Sequence, residues 1–375
     1  METTFDVIVV GLGAMGSAAA YHLARQGRRV LGLDRFSPPH ALGSSHGQTR
    51  IIREAYFEDP RYVPLVQRAY ELWTALEREA ERRLLLETGG LMIGRPDSTV
   101  VRGARRSAET HGLRHELLAA AEVRRRFPAL RPDDDMVAVW EPRAGILIPE
   151  ACVAAHLAMA RRHGATLRVD EPVLRWEPDG GGVRVVSAQG VYAAGQLVLS
   201  AGSWLTSLLP DLALPLTVER QPLYWFEACR NAASFTPERL PIHLWEHAPQ
   251  RYLYGFPDLG DGVKVARHHE GRLTDPDAVD REVHAEEVEA MRGLVRRYVP
   301  DADGPLRSAA VCLYTNTPDD HFLIDRHPAH AQVLIASPCS GHGFKFASAI
   351  GEALAELVSD GRTRADLSLF GQRFG

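Results

Sequence analysis

The sequence predicts a mixed α/β fold, α+β overall, in which a Rossmann-like nucleotide-binding domain is joined to a second domain built on an antiparallel sheet. One observation behind this prediction is that a buried strand, a glycine turn and a helix follow one another at the start of the chain and again near its end, as they do in dinucleotide-binding domains. The other is that the middle of the chain contains segments rich in aromatic and β-branched residues, which are typical of antiparallel strands.

Composition limits the possible classes of function. The chain has 375 residues, 45% of them hydrophobic, and a net charge of −5, so we expect about two domains and no nucleic-acid partner. No apolar run approaches the ~18–20 residues of a membrane span, and residues 1–10 lead directly into a strand, so we expect no signal peptide. Four cysteines without a CxxC pair or zinc-finger spacing predict no metal site and a cytoplasmic location.

The first predicted element is a strand over 5–10, mostly valine and isoleucine, as expected for a parallel strand buried on both faces. A helix over 14–26 follows, and its opening turn contains three glycines: Gly11, Gly13 and Gly16. Such glycines allow a tight turn, approach of the backbone to a pyrophosphate and close helix–strand packing, while the helix N-terminus faces the phosphates. The next strand, 29–33, ends at Asp34, whose carboxylate can accept both ribose hydroxyls.

Two later segments resemble this arrangement. One buried strand ends in the small residues Ala201 and Gly202, which would let the backbone approach the dinucleotide; an ordinary core strand is the alternative. Another strand, 333–336, leads through a glycine turn at 341–343 into a helix predicted over 347–358. A second helix N-terminus is thereby aimed at an anionic group.

The segments between these pieces predict the second domain. Helices are expected over 62–83, 102–126 and 286–298, and the arginines at 124–126 are expected to be a solvated face rather than a binding patch. Antiparallel strands are predicted for four segments: 223–226, 242–246, 251–254 and 262–269.

Cys312 lies in an unusual polar stretch, 311–322. Together with the first glycine turn, it suggests a nucleotide held at both ends, which favours a tethered flavin over a nicotinamide cofactor that dissociates between turnovers. From residue chemistry alone, however, an unpaired cysteine is more often an inert buried side chain. The predicted domains are an FAD-binding domain of residues 1–80, 145–220 and 320–375 and a substrate or catalytic domain of residues 81–144 and 221–319.

Polar residues inside predicted strands indicate where chemistry takes place. In 262–269, the two-residue period puts Lys264 and His268 on one face. A cation inside a strand is costly unless that face lines a polar cavity; an exposed sheet face is the alternative. Cys312 and Tyr314 likewise share one face of a predicted strand.

Another polar segment, 43–54, follows Asp34. If it is helical, Arg50 and Arg53 lie three residues apart on one face. Two guanidinium groups there suit a carboxylate or flavin oxygens, and structural salt bridges are the alternative.

Several of these segments occur together in one group of flavoproteins. The most specific ones are His46-Gly-Gln-Thr-Arg-Ile-Ile-Arg53, Tyr254-Gly-Phe-Pro257, 311–322 and Ser340-Gly-His-Gly-Phe-Lys-Phe346. Over residues 5–370 the chain resembles the monomeric sarcosine oxidase and N-methyltryptophan oxidase family, within the D-amino-acid-oxidase-like flavoproteins. The resemblance implies FAD as the cofactor, a small amino-acid substrate, O2 as the electron acceptor, and a monomer.

The resemblance also implies roles for single residues. Cys312 would bond the 8α-methyl group of FAD as a thioether, Lys264 would activate oxygen, and Arg50 would lie against the other face of the flavin. Arg53 and Lys345 would hold the substrate carboxylate. The residues that would line the amine pocket, and act in catalysis with Lys264 and Arg50, are Tyr254, His268 and Tyr314.

The cofactor itself would contact a larger set of residues. These are Gly11, Gly13, Gly16, Asp34, Arg35, Ser44, Arg50, Ala201, Gly202, Cys312, Gly341, Gly343, Phe344 and Lys345. Residues 243–247 would border the substrate cavity; their sequence, His-Leu-Trp-Glu-His, differs from that of some members and bears on which substrate is preferred rather than on the reaction type.

The activity implied is FAD-dependent oxidation of a secondary, N-methyl amino acid such as sarcosine by O2, giving the demethylated amino acid, formaldehyde and hydrogen peroxide. One alternative is a larger or cyclic substrate, such as N-methyltryptophan, pipecolate or proline. Others are a flavin dehydrogenase with another electron acceptor, a nicotinamide-dependent dehydrogenase, and a non-catalytic nucleotide-binding module. A cation at Lys264 opposes the flavin dehydrogenase, and a nicotinamide enzyme would leave Cys312 without a role.

Overall fold

The computed structural model describes residues 4–371, so the expectations that concern residues 1–3 and 372–375 lie outside the described residues. Within this range the α-helices are α1 Ala14–Arg25, α2 Val63–Ala80, α3 Thr99–Thr110, α4 Ala120–Arg126, α5 Pro149–Arg162, α6 Ala285–Tyr298 and α7 Ala347–Asp360. None of these described helices is both long and apolar enough to cross a membrane.

The strands of the described residues form three sheets. In chain order they are β1 Thr4–Val10, β2 Val30–Leu33, β3 Arg50–Ile52, β4 Leu85–Glu87, β5 Gly90–Gly94, β6 Glu116–Ala119, β7 Val137–Glu141, β8 Gly145–Leu147, β9 Thr166–Arg168, β10 Val173–Asp179, β11 Gly182–Ser187, β12 Val191–Leu199, β13 Thr217–Phe226, β14 Ile242–Ala248, β15 Arg251–Gly255, β16 Val263–His268, β17 Arg272–Leu273, β18 Leu306–Asn316, β19 Leu323–His327 and β20 His330–Ser337.

The first sheet has eight strands in the order β10-β11-β12-β1-β2-β9, with β20 paired to both β12 and β19. Strands β20, β12, β1, β2 and β9 pair in parallel, and residues 7–10 of β1 are buried. Helices α1, α5 and α7 share one hydrophobic core with β1. A parallel sheet covered by helices confirms the Rossmann-like half of the predicted fold.

The turn after β1 requires glycine for steric reasons. Gly11 has a φ of 87°, and a Cβ atom on Gly16 would lie 1.7 Å from the carbonyl oxygen of Gly11. Helix α1 can therefore pack against the turn only if position 16 has no side chain. Its N-cap residue, Gly13, brings no side chain to cap the helix, which suits a helix end that meets a phosphate.

The second sheet has nine strands in the order β17-β13-β16-β15-β14-β5-β7-β6, and β18 also pairs with β13. Its pairings are antiparallel apart from the parallel pairing of β14 with β5. Val263 and Val265 of β16 pack into a core with α6. Ala266 lies instead in a separate cluster with Cys312, so the predicted alternation of β16 is confirmed.

A small antiparallel sheet, β3-β8-β4, contains the segment that includes Arg50. Arg50 pairs with Leu147 and Ile52 with Gly145. The segment is therefore a strand, and the conditional prediction of a helix there is wrong.

The helix predicted over 102–126 is also wrong in its middle. Helix α3 ends at Thr110, and Gly112 has a φ of 61°, a conformation that ends a helix. The chain then forms β6 beside β7 before α4 begins. The arginines at 124–126 pair with nearby acids on the surface, as expected of a solvated face: Glu116, Glu122 and Asp134.

The division into two domains stays a prediction. Strands of the first sheet fall within 1–80, 145–220 and 320–375, and those of the second fall within the other two segments, except that β13 begins before residue 220. The small sheet joins strands from both sets.

Candidate active site

A cavity of about 590 Å³ brings together predicted residues from across the chain. The predicted site residues that line it are Gly11, Gly13, Asp34, Arg35, Ser44, Arg50, Arg53, Ala201, Gly202, Tyr254, His268, Cys312, Tyr314, Gly341, Gly343, Phe344 and Lys345. Gly16 and Lys264 are not among the lining residues: Gly16 packs behind the glycine turn, and Lys264 contacts residues 47–49.

One end of the cavity is formed by the backbone turns of the first sheet. Asp34 follows β2, and its two carboxylate oxygens accept the backbone N–H groups of Leu12 at 2.6 Å and Phe36 at 2.8 Å. Burial raises the pKa of Asp34, while these two N–H groups act to lower it. A carboxylate has further lone pairs, so the side chain is held in place and can still accept ribose hydroxyls.

Cys312 lies beside the guanidinium group of Arg50. Arg50 Nη2 donates to the carbonyl of Ser44 at 2.7 Å and approaches Cys312 Sγ at 3.4 Å. The thiol is only 1% exposed, and Sγ is 3.6 Å from the same Ser44 carbonyl. Cys312 thus lines the cavity, and its sulfur has a cation at its side.

Lys264 is enclosed rather than open to the cavity. Its Nζ donates to the carbonyl of Gly47 at 2.6 Å, and to the carbonyl and hydroxyl oxygens of Thr49 at 3.1 and 3.0 Å. The rings of Trp225 and Phe256 lie 5.2 and 5.0 Å from it. Burial, and next the charge of Arg50, hold the pKa of Lys264 well below its usual range.

Arg53 is buried with a carboxylate partner that the sequence analysis did not identify. Its Nη2 lies 2.8 Å from both carboxylate oxygens of Glu58, and its Nη1 donates to the carbonyl of Ala55 at 3.0 Å. Glu58 also lines the cavity. Burial opposes ionisation of Glu58, but the charge of Arg53 lowers its pKa overall. Arg53 therefore forms a structural salt bridge, which was the alternative prediction, and it also lines the cavity.

Lys345 lies near this pair, and its Nζ donates to the carbonyl of His342 at 2.6 Å and approaches the hydroxyl of Tyr56 at 3.4 Å. Because His342 Nε2 lies 2.8 Å from the Asp320 carbonyl, this nitrogen carries the hydrogen, so Nδ1 accepts from Tyr56 at 2.5 Å. Burial, and next the charge of Arg53, lower the pKa of Lys345 to about 7.

The wall between these cations and Cys312 is aromatic and uncharged. His268 Nδ1 lies 3.2 Å from the hydroxyl of Tyr314, and Tyr254 is within an edge-on ring contact of His268. Burial holds the pKa of His268 well below its usual range and raises that of Tyr314 well above it. These side chains are therefore neutral at physiological pH.

The comparison with protein families agrees with this geometry. Residues 6–357 match the family described as DAO, FAD dependent oxidoreductase. The chain belongs to this family.

Two sarcosine oxidases and an N-methyltryptophan oxidase are similar to the chain over almost its whole length. It is 50% identical to the monomeric sarcosine oxidase of Streptomyces avermitilis, with 100% of this chain and 98% of that protein covered. It is 42% identical to the monomeric sarcosine oxidase of a Bacillus species, with coverages of 99% and 97%, and 35% identical to the N-methyl-L-tryptophan oxidase of Yersinia pestis, with 98% of both.

Among solved structures, the chain is similar to NikD, described as an unusual amino acid oxidase essential for nikkomycin biosynthesis. The TM-score is 0.85, with 26% identity over 99% of this chain and 98% of that one. The glycine oxidase of Geobacillus kaustophilus gives a TM-score of 0.84 at 20% identity over 99% and 98%, which shows the shared fold alone.

The cavity of this FAD oxidoreductase fits the family's cofactor. A dinucleotide needs a glycine turn for its pyrophosphate and an acid for its ribose, and the cavity offers both, at Gly11 and Asp34. At the other end, a Cβ atom on Gly341 would lie 2.5 Å from the ring of Tyr314. The backbone of Gly341 and the ring of Tyr314 thus pack together without a gap.

Of residues 243–247, only Leu244 lines the cavity. The ring of His243 is buried, and its Nδ1 accepts from Trp245 Nε1 at 2.7 Å. The expectation that residues 243–247 border the cavity is therefore met by Leu244 alone.

Sequence reasoning did not identify Glu58, Tyr56 or His342 as parts of the site. The only signal for Glu58 is an acid five residues after Arg53, and Glu54 is closer along the chain. Glu54 instead pairs with Arg143 at 2.9 Å, so sequence separation does not show which acid is the partner.

Proposed function

We propose that this family member oxidises a secondary, N-methyl amino acid such as sarcosine to its imine, with O2 reduced to hydrogen peroxide. Water then hydrolyses the imine to the demethylated amino acid and formaldehyde. The observation that carries the proposal is one cavity with two buried cations, Arg53 and Lys345, beside a neutral aromatic wall. The names of the similar proteins support the substrate class.

The two cations would bind the substrate carboxylate. Charge-assisted hydrogen bonds are strong where water is excluded, and Arg53 and Lys345 are 2% and 5% exposed. Both carboxylate oxygens of Glu58 already accept hydrogen bonds from Arg53. Binding of the substrate carboxylate therefore requires the guanidinium group either to contact both carboxylates or to exchange Glu58 for the substrate.

The aromatic wall would keep the reacting amine uncharged. An ammonium ion loses its hydration beside a wall that offers no acidic side chain, and Tyr254, His268 and Tyr314 supply no negative charge at neutral pH. The nearby acid Glu58 is paired with Arg53. FAD, when bound, supplies the two-electron acceptor that passes the electrons on to oxygen. The protein's part is to orient the N-methyl carbon and to exclude water, and Lys264 would provide a fixed positive charge near the site of oxygen reduction.

We also propose that FAD is attached through a thioether to Cys312. Its support is the position of Sγ in the cavity beside Arg50. Cys339 lines the same cavity, but burial raises the pKa of Cys339 to about 11, which keeps that thiol protonated and weakly nucleophilic.

Acid precipitation tests the attachment. Wild-type protein and Cys339→Ala should give yellow pellets, whereas Cys312→Ala should release its flavin into the supernatant or fail to retain it. A yellow supernatant from the wild type would exclude the bond, and a colourless pellet from Cys339→Ala would move it to the other cysteine.

A monomeric state, a cytoplasmic location and the predicted domain division belong to the same proposal. The first is supported by the word monomeric in the names of two similar proteins, and analytical ultracentrifugation of the purified enzyme would test it.

An anaerobic screen tests the activity itself. Sarcosine, N-methyltryptophan, pipecolate and proline are mixed with the purified enzyme, and flavin bleaching is followed by absorbance. We expect the fastest bleaching with an N-methyl amino acid, and one hydrogen peroxide per turnover under air. No bleaching by any secondary amine would refute the proposal, and bleaching without peroxide would identify a dehydrogenase.

A further inference from the structure

The segment of residues 47–55 carries both Arg50 and Arg53, yet only three of its residues, in β3, pair with a neighbouring strand. Three paired residues leave the rest of the segment without sheet hydrogen bonds, and buried backbone N–H groups need partners. Two glutamates supply them, one at each end of β3. Both come from the stretch that contains β8, the strand paired with β3.

Glu150 holds the start of the segment. A single oxygen, Oε1, accepts the backbone N–H groups of Gly47 at 2.7 Å and Gln48 at 3.0 Å. Both residues have a positive φ, 96° and 67°, so consecutive N–H groups converge on one anion. The other side of this turn presents the carbonyls of Gly47 and Thr49 to Lys264.

Glu141 holds the end of the segment. Its Oε1 accepts the N–H of Glu54 at 2.6 Å, and its Oε2 accepts the N–H of Ala55 at 2.8 Å. The carbonyl of Ala55 in turn accepts from Arg53 Nη1 at 3.0 Å. Glu141 is 1% exposed, so the peptide that orients Arg53 is fixed from within the protein.

Neither glutamate lines the cavity, and within residues 4–371 neither forms a salt bridge. We propose that Glu141 and Glu150 are positioning residues that act at opposite ends of β3. Glu141 sets the guanidinium group that binds the substrate carboxylate, and Glu150 sets the oxygen atoms that enclose Lys264. This inference rests on the proposed function.

Glu141 and Glu150 should respond differently to the same substitution. At position 150, glutamine can still present one oxygen to both N–H groups, so Glu150→Gln should keep the turn and Glu150→Ala should lose it. At position 141 both oxygens are in use, and Glu141→Gln must place an NH2 group against a backbone N–H. Glutamine therefore rescues one position and not the other.

The chain offers a matched control for each position. Glu77 Oε1 accepts two consecutive N–H groups, those of Leu84 and Leu85 at 2.7 and 3.0 Å, as Glu150 does. Glu246 accepts one N–H on each oxygen, those of Val100 and Gln250 at 3.0 and 3.3 Å, as Glu141 does. Glu246 belongs to the stretch 243–247 that was expected at the cavity border, but neither it nor Glu77 lines the cavity. Glu77→Ala and Glu246→Gln thus disturb similar bonds outside the cavity.

Stopped-flow measurements separate the two roles, with sarcosine and its amide as substrates and oxygen as the oxidant. They are run at about pH 8.5, where Glu141, whose pKa burial raises to about 7, is ionised and Lys345 is largely neutral. Carboxylate binding then depends mainly on Arg53. The wild type is measured first: if no N-methyl amino acid bleaches its flavin, the proposed function fails rather than this inference.

For Glu141→Gln we expect the apparent Kd of sarcosine to rise about 10- to 100-fold, with that of the amide changed by less than about 3-fold. For Glu150→Ala we expect flavin reoxidation to slow by about 10-fold or more with flavin reduction unchanged, and Glu150→Gln to restore most of the rate. Glu77→Ala and Glu246→Gln should leave both half-reactions near wild type.

Equal weakening of sarcosine and its amide in Glu141→Gln would overturn the role of Glu141. The role of Glu150 would be overturned if flavin reoxidation were normal in Glu150→Ala, or if it were equally slow in the control Glu77→Ala. If Glu141→Gln does not fold, Glu141→Asp keeps both oxygens but shortens their reach, and it must show the same preference for weakening sarcosine over the amide.

Discussion

The site has two cationic regions, and they differ in the groups that surround the charge. At the carboxylate end, formed by Arg53, Lys345 and Glu58, the guanidinium group contacts a carboxylate that also lines the cavity. In the Lys264 pocket, formed by Lys264, Gly47 and Thr49, the ammonium group contacts only uncharged oxygens. Lys264 is enclosed, whereas Arg53 and Lys345 line the cavity.

This difference indicates how each charge is used. A carboxylate partner can be exchanged for the carboxylate of a substrate, so we propose that Arg53 changes partners when substrate binds. Burial lowers the pKa of Lys264, but its carbonyl and hydroxyl acceptors stabilise the ammonium form without neutralising it. We therefore propose that the Lys264 pocket holds a fixed positive charge. Four predictions test this contrast.

The largest effect is expected for Lys264→Met, which removes the fixed charge and keeps much of the side-chain volume. Flavin reoxidation by oxygen should slow roughly 100- to 1000-fold, as for the loss of one oxyanion donor, while reduction by substrate changes far less. Stopped-flow measurement of the two half-reactions checks this. Fast reoxidation together with slow reduction would make Lys264 a substrate-pocket residue.

Arg53→Met should lower kcat/KM for the best amino acid by about 30- to 1000-fold, because one charge-assisted partner of the carboxylate is lost. The neutral amide of the same amino acid serves as the control and should lose much less. Steady-state kinetics with both substrates decide the matter: near-normal kcat/KM for the acid would rule out this role of Arg53.

Lys345 should make carboxylate binding depend on pH. Since burial lowers its pKa to about 7, the ammonium form is present below that pH and is lost above it. The Kd of acetate, titrated by flavin absorbance, should rise about 10-fold from about pH 6 to about pH 8. Lys345→Met should bind weakly and lose this rise, because Glu141, whose pKa burial raises to about 7, holds Arg53 better as it ionises over the same range. An unchanged rise of Kd in that variant would assign the titration to another group.

The smallest effect is expected for Glu58→Gln. The variant removes the carboxylate that occupies Arg53 in the absence of substrate, so acetate should bind about 3- to 10-fold more tightly. The matched control is Glu54→Gln, which removes the partner of Arg143 instead. Weaker acetate binding in Glu58→Gln would show that Glu58 positions Arg53 rather than competing with the ligand.

Several features of the fold could be predicted because their causes lie close together in the chain. The strand predicted over 5–10 and the glycine turn after it need only local sterics. Both are confirmed, with residues 7–10 of the strand buried. The alternation of β16 follows from the two-residue period of any strand. The helix predicted over 102–126 is wrong because helical spacing of apolar residues continues past Gly112, where the chain turns back to pair with β7.

Within the site, the sequence by itself determined which residue types would meet: a glycine turn, an acid, a cysteine and several cations, identified from local patterns and from resemblance to a family. The tertiary structure alone decided which groups surround each charge. Glu58 rather than Glu54 pairs with Arg53, and the enclosure of Lys264 depends on a turn more than two hundred residues away. The physical reason is that a buried charge is stabilised by whatever groups lie within a few ångströms, and those groups come together only when separate strands pack.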